Sequence, residues 1–259
     1  MKQDCARYEE VERADRPQFR IMLSGTGEYR FANGTVDPAF AIALIGPTSG
    51  RIHGIGTGPM EVVGAGLLPP LWGALMGSRA QQFTDRAIDA TSIFGDEAQE
   101  LARRVAANPD VTARFAMLCD FLGAVDVSAD AAPLWFIRII DDWLAERMDP
   151  RIEQLTERTS LSIRQIERLT KRYYGLPPIT LARKYRALRA AAVLARGEDL
   201  SESGMTDSFY DQSHMIREIK RFAGLTPQKI KAHGSSMLTE IATGRKSLEG
   251  KVGPLISDA

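Results

Sequence analysis

Cysteine is nearly missing from this 259-residue chain: Cys5 and Cys119 are the only two. They lie too far apart to suggest a disulfide framework and have neither CxxC nor Cys/His spacing, so a structural zinc site is not indicated. A reducing compartment is expected. Histidine is also scarce, with His53, His214 and His233 scattered along the chain. Such a scatter supplies neither three metal ligands nor a base beside a nucleophile. Long apolar runs are lacking as well. The longest, such as Ala39 to Pro47, fall well short of a membrane span, and the opening MKQDCARYEEVERADR is too charged for a signal peptide. No membrane association and a cytoplasmic location are therefore expected.

What remains is ordinary for a globular protein, 44% hydrophobic and 25% charged, which argues against wholesale disorder or a collagen-like fibre. The length suits two domains. Net charge is zero but unevenly spread: residues 1–150 hold 14 Lys+Arg against 21 Asp+Glu, whereas residues 151–233 hold 16 against 9. A basic segment behind an acidic one points to a polyanion-binding module, because Lys and Arg gain affinity by displacing counterions from phosphate. On charge alone, a merely solvated basic surface explains the numbers equally well.

Short β-like runs occupy Phe19–Leu23, Glu28–Phe31, Ala39–Gly46, Arg51–Ile55 and Met60–Leu67, separated by turn chemistry at Ser24-Gly25-Thr26-Gly27 and Asn33-Gly34. They predict a small, mostly antiparallel sheet. From Pro70 the pattern becomes helical. Asp96 is placed to cap a helix ending at Asn108-Pro109, and Asp110 to cap the next, with Val111, Phe115, Leu118, Cys119 and Leu122 on one face. On that pattern Cys119 is a core residue. The small-residue stretch Val127–Ala132, followed by Pro133, marks a domain boundary. Beyond it, Leu134–Met148 is a helix apolar enough for burial on two sides. The tail from Ser235 lacks a core pattern and is expected to be partly disordered. The division expected is 1–127, 133–234 and a tail of 235–259.

The basic half contains a repeat. Arg168–Pro178 reads RLTKRYYGLPP and, 49 residues later, Arg217–Pro227 reads REIKRFAGLTP, with six of eleven positions identical. Each copy is a helix end, with glycine as left-handed terminator and proline soon after. Ile163, Ile166, Leu169 and Tyr173 share the inner side of the first helix; Met215, Ile219 and Phe222 share that of the second. Shorter candidate helices and tight turns precede them: Ile152–Thr159 with Ser160–Ser162, and Leu200–Ser208 with Phe209–Asp211. That order is a helix-turn-helix, twice over. Between the units, Pro178–Arg196 forms one helix of roughly 28 Å, near the roughly 34 Å between adjacent major-groove faces of one duplex.

These residues carry a specific resemblance. FYDQSHMIREIKRFAGLTPQKI, Phe209–Ile230, and LSIRQIERLTKRYYG, Leu161–Gly175, resemble the C-terminal signature of the AraC family of bacterial transcriptional regulators over about Pro133–Ala232. The resemblance implies a seven-helix domain that binds double-stranded promoter DNA through both units, often with contacts to RNA polymerase. It places Arg164, Glu167 and Arg168, then Gln212, Ser213 and Arg217, against bases or phosphates. Their chemistry suits this, since Arg pairs with guanine, Gln with adenine, and Glu accepts from cytosine. Lys171, Arg172, Lys220 and Arg221 suit backbone phosphates. The sequence departs from the family at Ser203, Gly204 and Ser208 in the second unit and at Thr170 in the first. Glycine costs a helix about 1 kcal/mol relative to alanine, so the second unit is expected to be looser and sequence preference to lean on the first.

The fold class expected is thus α+β, with an N-terminal mostly antiparallel β domain and following helices, then an all-α domain of two helix-turn-helix units. The N-terminal half resembles the family's sensor or dimerisation domains, which leaves open a small-molecule effector, a homodimer, or a purely protein-binding role. No catalytic, metal or cofactor residue is singled out. Gly54-Ile55-Gly56-Thr57-Gly58-Pro59 lacks the Lys-Ser/Thr ending of a phosphate loop and reads as turns between strands. The rival function, an enzyme with a carboxylate site, would use a pair such as Asp141-Asp142, which more simply lies on a polar helix face.

Overall fold

Two unusually long strands organise the N-terminal half of the computed structural model, which describes residues 2–3, 6–126, 133–202, 204–233 and 236–258. The strands are β1 (Lys2–Gln3), β2 (Arg7–Glu12), β3 (Gln18–Phe31), β4 (Val36–Pro38), β5 (Ile42–Ile45), β6 (Ile52–Gly66) and β7 (Ala87–Asp89). Every pairing is antiparallel. β3 and β6 pair with each other; β1 and β2 line the far side of β6, β4 and β5 the far side of β3, and β7 pairs with β5.

Two expected turns are not turns. Ser24–Gly27 lies within β3, where register shifts at Met22/Ser24 and Ser24/Thr26 mark bulges, and Gly54–Pro59 lies within β6. Small residues in a strand interior fit a bulge or a close backbone approach as well as a turn. Asn33-Gly34 does turn the chain, between β3 and β4, with Gly34 at φ +90°.

Helices α1 (Pro69–Met76), α2 (Thr91–Phe94), α3 (Asp96–Ala107) and α4 (Val111–Gly123) follow, with a 3-10 turn over Gly77–Phe83 after α1. They join the sheet in a core containing Phe19, Ile21, Leu44, Trp72, Leu101 and Leu118. Asp110 caps α4, accepting from the amides of Thr112 and Ala113. Asp96 is the first residue of α3 rather than its cap, a position Gly95 occupies. The face of α4 also differs from expectation. Phe121 packs against Phe19 and Phe94 with ring centroids 5.8 and 5.0 Å away. That contact turns Leu118 and Leu122 inward and leaves Val111 71% and Phe115 49% exposed. Cys119 is exposed with them, so it is not a core residue.

The boundary stretch expected at Val127–Ala132 lies outside the described residues. After it come α5 (Leu134–Glu146), α6 (Glu153–Thr159), α7 (Ile163–Tyr174), α8 (Pro178–Ala195), a 3-10 turn over Thr206–Ser208, α9 (Gln212–Ala223), α10 (Pro227–His233), α11 (Ser236–Lys246) and α12 (Pro254–Ser257). The linker helix α8 is buried along most of its length and forms the spine of the helical core, with Phe136, Trp143, Ile166, Ile219 and Phe222 around it. α5 buries Phe136, Ile140 and Trp143, while Trp135 stays half exposed.

The tail is not without structure: α11 and α12 bury Leu238, Ala242 and Leu255. Its apolar residues are too widely spaced to form a stripe of their own, and burial comes from surfaces supplied by α5 and α8. Charge is buried too. Arg186 pairs with Asp149 at 2.5 Å, and Arg189 donates to the carbonyls of Leu144 and Ala145.

Candidate nucleic-acid interface

The first basic helix, α7, is built by its ends. Ser162 and Gln165 form a reciprocal capping box, with the Ser162 amide 2.9 Å from Gln165 Oε1. Gly175 ends the helix in the left-handed conformation, its amide donating to the Lys171 carbonyl at 3.0 Å. Ile166, Thr170, Tyr173 and Tyr174 are buried. This leaves Arg164 and Arg168 exposed and Glu167, Lys171 and Arg172 partly buried. The Arg172 guanidinium sits 5.6 Å from the centre of the Tyr173 ring.

One inner-face expectation changes. Ile163 is exposed, because as the first residue of α7 it precedes the packed turns. Thr170, where the family usually has a large apolar residue, is wholly buried, and its hydroxyl donates to the Ile166 carbonyl at 3.0 Å, which satisfies the polar group within the helix.

The second basic helix, α9, is capped by Asp211, which accepts from the His214 amide at 2.6 Å. His214 thus belongs to the helix start. Ile219 and Phe222 are fully buried and Met215 partly so. Gln212, Ser213, Arg217, Lys220 and Arg221 are all exposed on the opposite side. Glu218 is the exception among the charged residues. It is buried and held by both ends of its carboxylate to Arg183 of α8, at 2.9 and 2.7 Å. Burial pushes its acidity down, but the Arg183 hydrogen bonds outweigh this and hold the carboxyl below its usual pKa. This pair fixes α9 against α8.

The two units are unequal. The first has its supporting helix, α6, and the left-handed residue Ser160 makes the turn into α7. In the second, the described residues of the helix expected over Leu200–Ser208 hold only the 3-10 turn at Thr206–Ser208, and Ser203 lies outside the described residues. Gly204 adopts φ +65°, and the serines around it offer little apolar surface to hold a helix in place.

Sequence reasoning did not anticipate how closely the N-terminal half approaches both basic helices. At the end of α7, the Gly175 carbonyl accepts from the Thr84 hydroxyl at 2.8 Å. A Cβ on Gly175 would meet Pro47 Cγ at 2.0 Å, and one on Gly224 at the end of α9 would meet Val11 Cγ1 at 2.3 Å. The repeated glycine therefore serves twice, as helix terminator and as the point of close contact. Gln81 lies beside Arg164, Glu167, Arg168 and Lys171, and Asn33, Ser49 and Arg51 lie beside Arg217, Lys220 and Arg221. None of these N-terminal residues has a local sequence signal, since only the tertiary fold brings them there.

The carboxylate pair of the rival enzymatic function borders one cavity, but its two members differ in surroundings. Asp142 is exposed, whereas Asp141 sits 2.7 Å from the Tyr174 hydroxyl. Burial raises the Asp141 pKa against the opposing effects of that hydrogen bond and of Arg16. It is a half-buried hydrogen-bond partner of Tyr174 rather than a fully solvated residue of a polar helix face. His53 pairs with Glu9 at 3.1 Å. Among the described residues no cluster of three or more His, Cys, Asp or Glu is arranged to hold a metal, and no helix is long and apolar enough to cross a membrane.

With this geometry in view, comparison with known proteins defines the class: residues 155–233 match the family model described as a helix-turn-helix domain. This C-terminal region is a helix-turn-helix domain of the AraC type, and the protein is a DNA-binding transcription regulator. Among solved structures, apo ToxT carrying a single substitution, from Vibrio cholerae strain SCE256, is similar at 9% identity and TM-score 0.48, covering 88% of this chain and 97% of that one. ToxT from Vibrio cholerae O395 is similar at 8% identity and TM-score 0.47, covering 89% and 99%. Wild-type ToxT from strain SCE256 with a bound unsaturated fatty acid is similar at 8% identity and TM-score 0.44, covering 88% and 93%. No curated protein matches the chain.

Proposed function

We propose that the protein regulates transcription by laying α7 and α9 in successive major grooves of one duplex face. The observation that carries this reading is the pair of helices, alike in sequence, exposing Arg164 and Arg168 on one and Gln212, Ser213, Arg217, Lys220 and Arg221 on the other. The helix between them, α8, has 18 residues and is about 27 Å long, close to the spacing of adjacent grooves. Arg164, Glu167, Arg168, Gln212, Ser213 and Arg217 read bases; Lys171, Arg172, Lys220 and Arg221 neutralise phosphates. Selection of bound fragments from genomic DNA by the full chain tests this. A recovered common sequence whose affinity falls steeply with salt supports the reading. Failure to prefer any fragment over random duplex overturns it.

Control acts through the N-terminal half. A cavity of about 270 Å³ lies between the sheet and α11, lined by Tyr29, Met60 and Ile241 together with Arg20, Glu12 and Arg245. Its mix of apolar wall and charged groups suits a small-molecule effector. The exposed Val111 and Phe115 on α4 favour a second reading, control by homodimerisation. Calorimetry with candidate metabolites and sedimentation at several concentrations separate the two.

A further inference from the structure

The groove beside α9 is cationic on both walls. One wall is Arg217, Lys220 and Arg221; the other, from the N-terminal half, is Asn33, Ser49 and Arg51. No acidic residue lines it, and among the described residues no carboxylate forms an ion pair with any of these four cations. The Arg51 amide donates to the Arg221 carbonyl at 3.0 Å, so the backbone of Arg51 is fixed to the last turn of α9 while its side chain stays exposed. The crossing is tight: a Cβ on Gly50 would lie 2.6 Å from Ala32 Cβ and 3.3 Å from the Arg221 carbonyl oxygen. Like charges gathered at fixed positions repel one another unless an anion neutralises them.

The position of this groove gives it a purpose. In a helix-turn-helix the first helix of the unit crosses the DNA backbone. Among the described residues, the second unit here has a 3-10 turn in that place. The hairpin tip at Asn33 and the loop carrying Ser49 and Arg51 border the C-terminal part of α9. On the first unit the corresponding N-terminal neighbour of the basic helix is the uncharged Gln81.

We propose that the N-terminal half is itself part of the DNA-binding surface: Arg51, assisted by Asn33 and Ser49, holds the phosphate backbone that borders the groove entered by α9. This rests on the DNA-binding reading above and adds to it a contact from outside the helix-turn-helix domain. A phosphate there is reached by Arg51 from one wall and by Lys220 or Arg221 from the other. Because the contact is to backbone, it contributes affinity without sequence preference.

The test uses the full chain, a duplex recovered by fragment selection and a random duplex of equal length, with dissociation constants measured across a salt series. Arg51→Ala is expected to weaken both duplexes alike, by about fivefold at 0.15 M salt, and to reduce the log–log salt slope by about 1, the loss of one displaced counterion. Arg51→Lys is expected to retain the slope, and Asn33→Lys to increase it by about 1. Arg103→Ala, on the exposed side of α3, is the charge-matched control and leaves it unchanged. Wild-type binding that is salt-dependent, with Arg51→Ala and Asn33→Lys both matching the wild-type slope, overturns the contact while leaving the DNA-binding reading intact. A wild-type chain that binds neither duplex overturns both.

Discussion

Lys184 Nζ lies 2.6 Å from the Asp15 carbonyl oxygen and 2.9 Å from that of Thr48. The lysine belongs to α8 at the centre of the helical half, and both carbonyls belong to the N-terminal half, so one buried ammonium ties the two halves together. Nearby, the Ala14 amide donates to the Phe222 carbonyl at 2.6 Å. Replacing Lys184 by Met takes the ammonium donor from the buried Thr48 carbonyl and leaves the Asp15 carbonyl only its bonds from the Thr48 amide and hydroxyl, at a cost of about 1–3 kcal/mol, to be read from urea denaturation. Burial also lowers the Lys184 pKa from 10.5 to about 7. Between these values the unfolded chain holds a proton that the folded chain has released, so this lysine makes stability rise with pH across that window. The difference in stability between wild type and Lys184→Met, followed from pH 6 to pH 10, should shift in the wild type's favour. A constant difference contradicts the assignment.

Asp15 acts on the acid side. Burial pushes its pKa up, but Arg245, Arg13 and Arg16 outweigh burial and hold the carboxyl far below its ordinary value. The ion pair to Arg245 of α11 is 2.7 Å long. With its folded pKa depressed, Asp15 contributes stability that is fully present above the unfolded value of about 3.9 and lost as pH falls through and below it. Asp15→Asn is expected to cost about 3 kcal/mol at neutral pH, because it strands buried guanidinium charge. It should also flatten the loss of stability below pH 4. Acid titrations of the two proteins that run parallel would contradict this.

The unequal build of the two units predicts unequal reading. Arg168 stands on a helix braced by α6, whereas Arg217 stands on one whose expected support is reduced to a 3-10 turn. Arg168→Ala is therefore expected to cost about 1–3 kcal/mol of affinity for a selected duplex and to relax its sequence preference. Arg217→Ala is expected to cost less and to change preference little. Repeating the fragment selection with each variant checks both, and a larger loss at Arg217 reverses the ranking.

What the sequence made legible follows the range of the interactions. The repeat, both helix terminators and the Asp110 cap are local, decided within four or five residues, and each is read directly. So are the exposed Arg164, Arg168, Gln212, Ser213, Arg217, Lys220 and Arg221, because a 3.6-residue period sorts them from Ile166, Tyr173, Ile219 and Phe222. Some misread features are local, one residue off at a helix start, as with Asp96 and Ile163; the others depend on distant partners. Whether Ser24–Gly27 is a turn or a bulge is decided by β6. The exposure of Cys119 is set by where Phe121 docks, and the tail folds on surfaces that α5 and α8 supply. Arg51 and Gln81 reach the basic helices only through the packing of the two halves.

Gly175 offers a clean measure of that packing. It adopts φ +74°, and a Cβ there would lie 2.0 Å from Pro47 Cγ. Gly197, just beyond the end of α8, adopts φ +80° with nothing within 4 Å of the same position. Alanine at Gly197 therefore costs only the backbone strain of a left-handed residue, about 1 kcal/mol. Alanine at Gly175 carries the same strain and must also push Pro47 away, which pulls the Thr84 hydroxyl from the Gly175 carbonyl. Gly175→Ala is expected to destabilise the chain by about 2–3 kcal/mol and to expose the loop carrying Pro47 and Thr84 to hydrogen exchange. Gly197→Ala should leave that loop protected. Equal losses for the two variants, with no change in exchange at the loop, would mean that the halves are not clasped at the end of α7.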